Sequence, residues 1–271
     1  MSTSTLPTKH QNQPLVVQML RDPKMHQQIV AALTGTGVDH RRFERVVMTY
    51  ISQNNSAIMK LDSRQLLGCF VELAQLGLEP NTRLGHAYIL TFGSKPQIII
   101  GYPGLIVLAA RAGFCIGADV VCHKDHFVYP RPGDAHIDHI PSEEDDRGST
   151  RYAYAYAQKV NWPFQFVVLS ASDIASRRRS SASVKANKSD SPWLSKDPVI
   201  VRAMEKKSAI RALVKFLPLS AEYQLARAVE LDDMVESGVT QDFDFAEDVP
   251  ADGDELRGRI DAAKAEKDGG Q

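Results

Sequence analysis

Long uninterrupted apolar runs are missing from this 271-residue chain. The longest, Ile98 to Ala110, is cut by Gly101, Pro103 and Gly104. It falls well short of the ~20 apolar residues that span a bilayer. The opening residues, MSTSTLPTKHQNQP, contain no apolar core of a signal peptide. Cysteine is scarce and odd in number: Cys69, Cys115 and Cys122. That argues against a disulfide framework and for a reducing compartment. The expectation is a soluble, cytoplasmic protein with no membrane partner.

Several chemical signatures are absent as well. There is no G-x-x-x-x-G-K-S/T loop to cradle phosphates and no G-x-G-x-x-G after a strand, which excludes an ATP-driven motor of the usual kind. No G-x-S-x-G or H-E-x-x-H is present, and no fixed-period repeat. Cys122, His123, His126, His136 and His139 could be imagined around a metal, but their spacing is looser than zinc sites show. Asp119, Asp125 and Asp134 could be imagined as a nuclease site, yet no spacing singles them out. No catalytic residue, metal or cofactor is expected.

Charge is present but segregated. From Asp232 onward there are 13 acidic and 4 basic residues, a net of −9, against −1 for the whole chain. The preceding residues therefore carry +8, and the 40 residues from Ser176 to Lys215 alone carry +8. A basic region of this density implies an anionic partner, most often nucleic acid.

Apolar content is 43%, enough for a folded core. Residues 1–13 are polar and read as disordered. Helices are predicted over Pro14–Leu33, interrupted at Asp22-Pro23, then after Asp39, and after Asp62 or Ser63 as far as Gly77. Two strands follow, 86–90 and 97–102, joined by a turn at Gly93-Ser94-Lys95-Pro96, and Pro103 starts a short helix. Strands at 115–123, 151–160 and 164–169 surround a polar loop at 130–148 that is expected to be mobile. A helix capped by Ser170 or Ser172 ends in Arg177-Arg178-Arg179. A flexible basic stretch runs from Ser180 to Pro192. Asp197-Pro198 opens the strongest helix, to Leu217, and another covers 220–235. The plan is α+β with a mainly antiparallel β-sheet core, packed helices, flanking N-terminal helices and an acidic C-terminal tail. The expected organisation is a disordered 1–13, a core at 14–236 and a weakly folded tail at 237–271.

On the helix from Pro198, Lys207, Arg211 and Lys215 stand at i, i+4 and i+8. Like charges at that spacing weaken a helix by a few tenths of a kcal/mol per pair. The stripe has no acidic partner four residues away, and phosphates would offset that cost. Arg202 and Lys206 project nearer the apolar stripe. Tyr152, Tyr154 and Tyr156 alternate with alanines on a strand. The row is read as half-buried packing under a helix rather than as a base-stacking platform.

Two blocks carry a resemblance. The first is Gln75-Leu76-Gly77-Leu78-Glu79-Pro80, Leu84-Gly85-His86-Ala87-Tyr88, Phe92-Gly93, and Gln97-Ile98-Ile99-Ile100-Gly101-Tyr102 with Gly104. The second is Met204-Glu205-Lys206-Lys207-Ser208-Ala209-Ile210-Arg211 through Lys215-Phe216-Leu217-Pro218. In order and separation they resemble the RecT family of phage-type single-strand DNA annealing proteins, over roughly Pro14 to Glu236. The resemblance implies a RecT-like core and a homo-oligomer in ring or filament form. It implies ATP-independent annealing of complementary strands in recombination, within a bacterial host for a phage or prophage. Partners would be single-stranded DNA, the annealed duplex intermediate, a 5′→3′ exonuclease and the host single-strand binding protein. No cofactor and no ATP are implied, and an influence of Mg²⁺ on annealing is expected to run through the DNA. Basic positions carry over to Lys206, Lys207, Arg211 and Lys215, and the strand-to-helix corner to Tyr102 and Gly104. Pro103 stands where the family commonly has a basic residue, and Glu205 where it has an apolar or small one.

Annealing requires phosphates to be neutralised while base edges stay free. The expected groove therefore combines Lys206, Lys207, Arg211, Lys215, Arg202, Arg177, Arg178 and Arg179 with Lys95 at the hairpin tip and Tyr102. A metal-dependent nuclease and a sequence-specific DNA-binding regulator are the rival classes.

Overall fold

The computed structural model describes residues 14–92, 94–129, 136–217, 223–243 and 253–268. In chain order these form α1 (Leu15–Arg21), α2 (Pro23–Leu33), α3 (His40–Gln53), α4 (Asn55–Ile58), α5 (Ser63–Leu76), β1 (Ala87–Phe92) and β2 (Lys95–Ile100). Next come α6 (Tyr102–Arg111), β3 (Cys115–Cys122), β4 (His126–Val128), β5 (Asp138–Ile140), β6 (Thr150–Gln158) and β7 (Gln165–Ser170). The chain continues with α7 (Ala171–Ser180), α8 (Ala182–Lys185), a 3-10 turn (Pro192–Leu194), α9 (Pro198–Val214), α10 (Tyr223–Ser237) and α11 (Gly253–Asp268). The class is α+β, as expected, with small antiparallel sheets and packed helices. The expectation of a disordered 1–13 falls outside the described residues.

Two units divide the chain. The first comprises the described residues up to Asn81, Ile89–Gln97 and those from Asp242 onward. Its helices start where short-range chemistry predicts. Asp39 accepts a hydrogen bond from the Arg42 N–H, and Asp62 from those of Arg64 and Gln65. Gly77 ends α5 with φ 61°, the left-handed C-cap position. Asp22 is the exception. It precedes Pro23 without capping, and its buried carboxylate instead accepts from Arg259 Nη2 at 2.8 Å. Phe43, Val47 and Tyr50 of α3 and Leu66, Phe70 and Leu73 of α5 are buried, and the Tyr50 and Phe70 rings meet edge-on. Arg42 grips the buried Glu79 through Nε at 2.5 Å and Nη2 at 2.9 Å. Helix α11, from the stretch read as a weakly folded tail, packs along α1 with Leu256 fully buried.

The second unit holds Thr82–Tyr88 and Ile98–Gln241. Here the glycines of the first sequence block acquire a reason. The Gly101 N–H donates to the His86 carbonyl at 2.9 Å. A Cβ on Gly101 would lie 1.9 Å from the Gly85 carbonyl oxygen, and one on Gly104 2.2 Å from that of His86. Two backbones touch at this corner, and only glycine lets them. Gly101 is the N-cap of α6, so the helix begins at Tyr102 rather than Pro103, which sits within its first turn. The hairpin turn is also shorter than expected, because Lys95 already belongs to β2; Gly93 lies outside the described residues. The buried Gln241 side chain acts as a one-residue strand on β2. It accepts from the Ile98 N–H at 2.7 Å and donates to the Ile98 carbonyl at 2.9 Å.

The central sheet has the order β3-β6-β7, with Val120 opposite Ala153 and Ala155 opposite Val167. Its alanine face, Ala153, Ala155 and Ala157, is fully buried beneath α9, because small side chains let a helix approach closely. The tyrosine face does not pack under a helix, contrary to expectation. Tyr152 and Tyr154 meet Phe127 of β4 at 5.6 and 5.4 Å, and Tyr156 stacks on Phe164 at 5.6 Å. Gly117 opposite Tyr156 leaves room for that ring.

The loop expected to be mobile over 130–148 is partly ordered. Strand β5 pairs with β4, with Phe127 opposite His139; residues 130–135 lie outside the described ones. The stretch expected to be flexible over 180–192 is likewise structured. It contains α8, and buried Ser181 and Ser191 precede the fully buried Trp193.

Candidate nucleic-acid interface

Helix α9 begins where Asp197 accepts from the Val199 N–H at 2.8 Å, with Pro198 in the first turn. Ala209, Ile210, Leu213 and Val214 bury completely. The adjoining face carries the basic stripe, and the structure corrects how that stripe is used. Lys207 and Arg211 are buried, not free to meet phosphates. Lys207 Nζ lies 2.7 Å from Asp232 Oδ1, and Arg211 Nη1 2.7 Å from Glu236 Oε2. Arg211 also bonds to Asp233, and its Nε stands 3.4 Å from Asp232 Oδ2. Lys215, half-exposed, pairs with Asp233 at 2.8 Å. Burial alone would lower the Arg211 pKa; Asp232, Glu236 and Asp233 outweigh it and hold the guanidinium above its ordinary value. The acidic side chains missing from α9 are supplied by α10, 18–25 residues later. A rule about positions i and i+4 on one helix cannot see them. The available signal was the triplet Asp232, Asp233 and Glu236, which stands within five residues on α10.

The remaining cations keep their exposure. At the end of α7, Arg178 and Arg179 are exposed and Arg177 is half-buried. That helix is anchored by a capping box between Ser170 and Asp173. On α9, Lys206 Nζ lies 3.8 Å from Asp119 Oδ1, and Arg202 Nη2 lies 3.7 Å from Cys122 Sγ. Arg151 sits over the Tyr152 ring at 5.0 Å. Also on α9 is Glu205, a buried carboxylate that the resemblance marked only as a departure from the family's apolar or small residue. Burial raises its pKa, while the Thr150 hydroxyl, Arg202 and Arg178 pull it back. The structure thus brings Arg178 and Arg202 together around one acid. Tyr102, half-buried, opens α6 in this unit, whereas exposed Lys95 belongs to the first unit.

Asp119 and Asp125, the described carboxylates considered for metal chemistry, are engaged elsewhere. Asp125 is fully buried and accepts from the N–H groups of Cys122 and Ser142 and from Arg147 Nε and Nη2. His139 Nε2 lies 3.2 Å from it, with Nδ1 3.1 Å from the Tyr154 hydroxyl. This cluster ties β5 and the end of the loop to the sheet. Asp134 lies outside the described residues. Among the described residues no three His, Cys, Asp or Glu side chains gather as a metal ion would require.

The hydrogen bonds from Arg147 hold the Asp125 pKa well below the usual carboxylate range, against the opposing effect of burial. A carboxylate depressed in the folded state contributes stability above its unfolded pKa of about 4, and loses it as pH falls below that value. Asp125→Asn should therefore be less stable than the parent at pH 7, with the gap closing below about pH 4. Urea denaturation across that range measures it; a gap independent of pH would contradict the assignment.

No helix among the described residues is long and apolar enough to cross a membrane. The RecT family model matches residues 41–249. Protein RecT of Escherichia coli (strain K12) is 35% identical over 228 residues, covering 80% of each chain. The chain belongs to the RecT family. Both blocks that carry the resemblance lie within the matched span, and the structure gives each a separate physical task. In this RecT-family chain the first block makes the backbone contact of Gly85–His86 with Gly101–Gly104. The second makes the helix that covers the sheet and pairs with α10.

Proposed function

We propose that this RecT-family protein binds single-stranded DNA and pairs complementary strands without ATP. The observation that carries the reading is the set of cations left exposed or half-exposed after α10 has taken Lys207 and Arg211: Arg177, Arg178, Arg179, Arg202 and Lys206. These side chains neutralise phosphates while base edges stay free to pair. Lys215 adds to them where Asp233 releases it, and Tyr102 and Lys95 remain further candidates. Lys207 and Arg211 are assigned to the ion-paired clasp instead. The chain acts as a binding protein rather than a hydrolase, needs no cofactor, and responds to Mg²⁺ through the DNA. It works as a homo-oligomer, ring or filament, in the bacterial cytoplasm. Its partners are a 5′→3′ exonuclease that exposes single strands and the host single-strand binding protein.

Salt dependence tests the assignment. Affinity for single strands falls with salt at a log–log slope of about −0.7 per phosphate neutralised. The triple variant Arg179→Ala, Arg202→Ala, Lys206→Ala should flatten that slope by about 2, three contacts at that value each. It should also slow annealing of complementary oligonucleotides in the absence of ATP. An unchanged slope with unchanged annealing would remove these residues from the interface. Mg²⁺-dependent cleavage of labelled DNA, abolished by a point variant, would replace the reading with a nuclease.

A further inference from the structure

Among the described residues, three strand edges are plugged by side chains and a fourth is open. On β1 the Ile89 N–H donates to Asn81 Oδ1 at 2.9 Å, and on β2 the Gln241 amide engages both backbone groups of Ile98. On β3 the Val120 N–H donates to Asp119 Oδ1 at 2.8 Å, and Arg147 Nη2 donates to the Val120 carbonyl at 3.5 Å. Backbone groups occupied in this way cannot recruit another strand. Strand β7, the opposite edge of the central sheet, is the open one. The ladder shows which of its groups are free. Hydrogen-bonded and non-hydrogen-bonded pairs alternate in an antiparallel sheet. Val120 bonds outward, so Val120–Ala153 is a non-hydrogen-bonded pair, and Ala153 bonds to Leu169 instead. Phe166 and Val168 therefore turn their N–H and C=O groups away from β6, as Ser170 turns its N–H to Asp173. No described residue hydrogen-bonds to those groups of Phe166 and Val168. The strand, Gln165–Ser170, carries no charge and no proline to deter a partner.

We infer that β7 pairs with β7 of a second copy of this chain, antiparallel about a two-fold axis at Val167. Phe166 then faces Val168 of the copy, and Val168 faces its Phe166. That register closes four hydrogen bonds and leaves none of the open groups unused. Charge is complementary as well. Exposed Asp173 opens α7 beyond one end of the strand, and exposed Lys159 precedes the turn at the other. An antiparallel copy sets the acidic end of each against the basic end of the other. Trp162, exposed in that turn, comes toward the small, exposed Ala171 and Ser172 of the copy. Such a contact is isologous. It neither closes a ring nor extends a filament, which need head-to-tail contacts; it joins one copy from each of two assemblies. The axis stands perpendicular to the sheet, so both copies of α9 lie on one face of a six-stranded sheet and run in opposite directions. Single strands held along them are antiparallel, the polarity that complementary strands need, and their base edges stay free. The inference rests on the reading as a homo-oligomeric single-strand binder and deepens it by naming the contact that brings two loaded assemblies together.

Cross-linking of the full-length protein tests both the contact and its register. Cys115 is the exposed native thiol, and Cys69 and Cys122 are buried, so Cys115→Ser gives a quiet background. In that background Val167→Cys places two thiols across the axis. Residues facing each other there have Cα atoms about 4.5 Å apart, within disulfide reach. Gln165→Cys faces Leu169 of the copy instead, and its own counterpart lies about 13 Å further along the strands. Oxidation with copper–phenanthroline should convert most of the Val167→Cys protein, and little of the Gln165→Cys protein, to a dimer on a non-reducing gel. Val168→Pro removes one outward N–H from each copy without breaking a bond to β6. It should weaken the self-association step about 30-fold in sedimentation equilibrium, the order of two lost hydrogen bonds. Annealing should slow, while the salt slope of single-strand binding stays unchanged. Equal cross-linking of the two cysteine variants overturns the β7 contact. So does an uncross-linked Val167→Cys protein that light scattering shows to be an oligomer, and that result leaves the homo-oligomer standing. A protein that stays monomeric at every concentration and never cross-links overturns both.

Discussion

Asp232→Ala should destabilise the protein by about 3–5 kcal/mol, the usual cost of removing one partner from a buried ion pair. The Asp232 carboxylate is 1% exposed and faces two cations, Lys207 and Arg211, each 9% exposed. Arg211 would keep Asp233 and Glu236, but Lys207 would be left buried with no counter-ion. Equilibrium unfolding in urea measures the loss. The pair itself is not expected to be a large net source of stability, because desolvating two charges offsets most of their attraction. Lys207→Met with Asp232→Leu should therefore recover most of what Asp232→Ala loses. A double variant as unstable as the single one would show that the clasp has a role beyond compensating its own burial. The same logic governs how DNA-binding variants are read. Lys207→Ala with Arg211→Ala strands Asp232 in turn, so any loss of annealing in that variant reports a damaged fold before it reports a lost phosphate contact.

Gly101→Ala should cost about 3 kcal/mol or more, at the upper end of what overpacking exacts. Its new Cβ would sit 1.9 Å from the Gly85 carbonyl oxygen, a backbone atom that no rotamer change can move aside. Gly85 is held in turn by φ +67°, a conformation that resists adjustment by any residue with a side chain. Relief would require breaking the Gly101–His86 hydrogen bond and shifting the start of α6. Gly258 provides the control. It lies in helix α11 with nothing within 4 Å of an added Cβ. Gly258→Ala should stabilise by about 0.5–1 kcal/mol, since alanine is the better helix former. Thermal melts of both variants check the opposite signs; a neutral Gly101→Ala would mean that the contact yields easily.

Much of the fold is legible before any coordinates. The caps at Asp39, Asp62, Ser170 and Asp197 and the left-handed glycine at position 77 follow from groups within four residues of one another. The hairpin at 87–100 and the alternation along β6 were readable for the same reason. Asp22 shows the limit. It has the sequence of a cap, but an arginine 237 residues later offers its carboxylate a charged partner and the cap is forgone. Strand β5 escaped notice because three residues are too few to show a period, and its place depends on Asp125, Arg147 and His139 meeting.

By itself the sequence determined the class of protein, the order of its elements and the excess of positive charge between Ser176 and Lys215. Those properties depend on composition and near-neighbour spacing, which a linear chain displays. Which of those charges remain free was decided only by the tertiary structure. Lys207, Arg211 and Lys206 look alike along the helix, yet two of them face the acids of α10 and the third reaches the rim of the sheet. Charge pairing between elements depends on which helical faces meet. That choice is made by packing α9 on the alanine face of β6, not by any feature local to the cations.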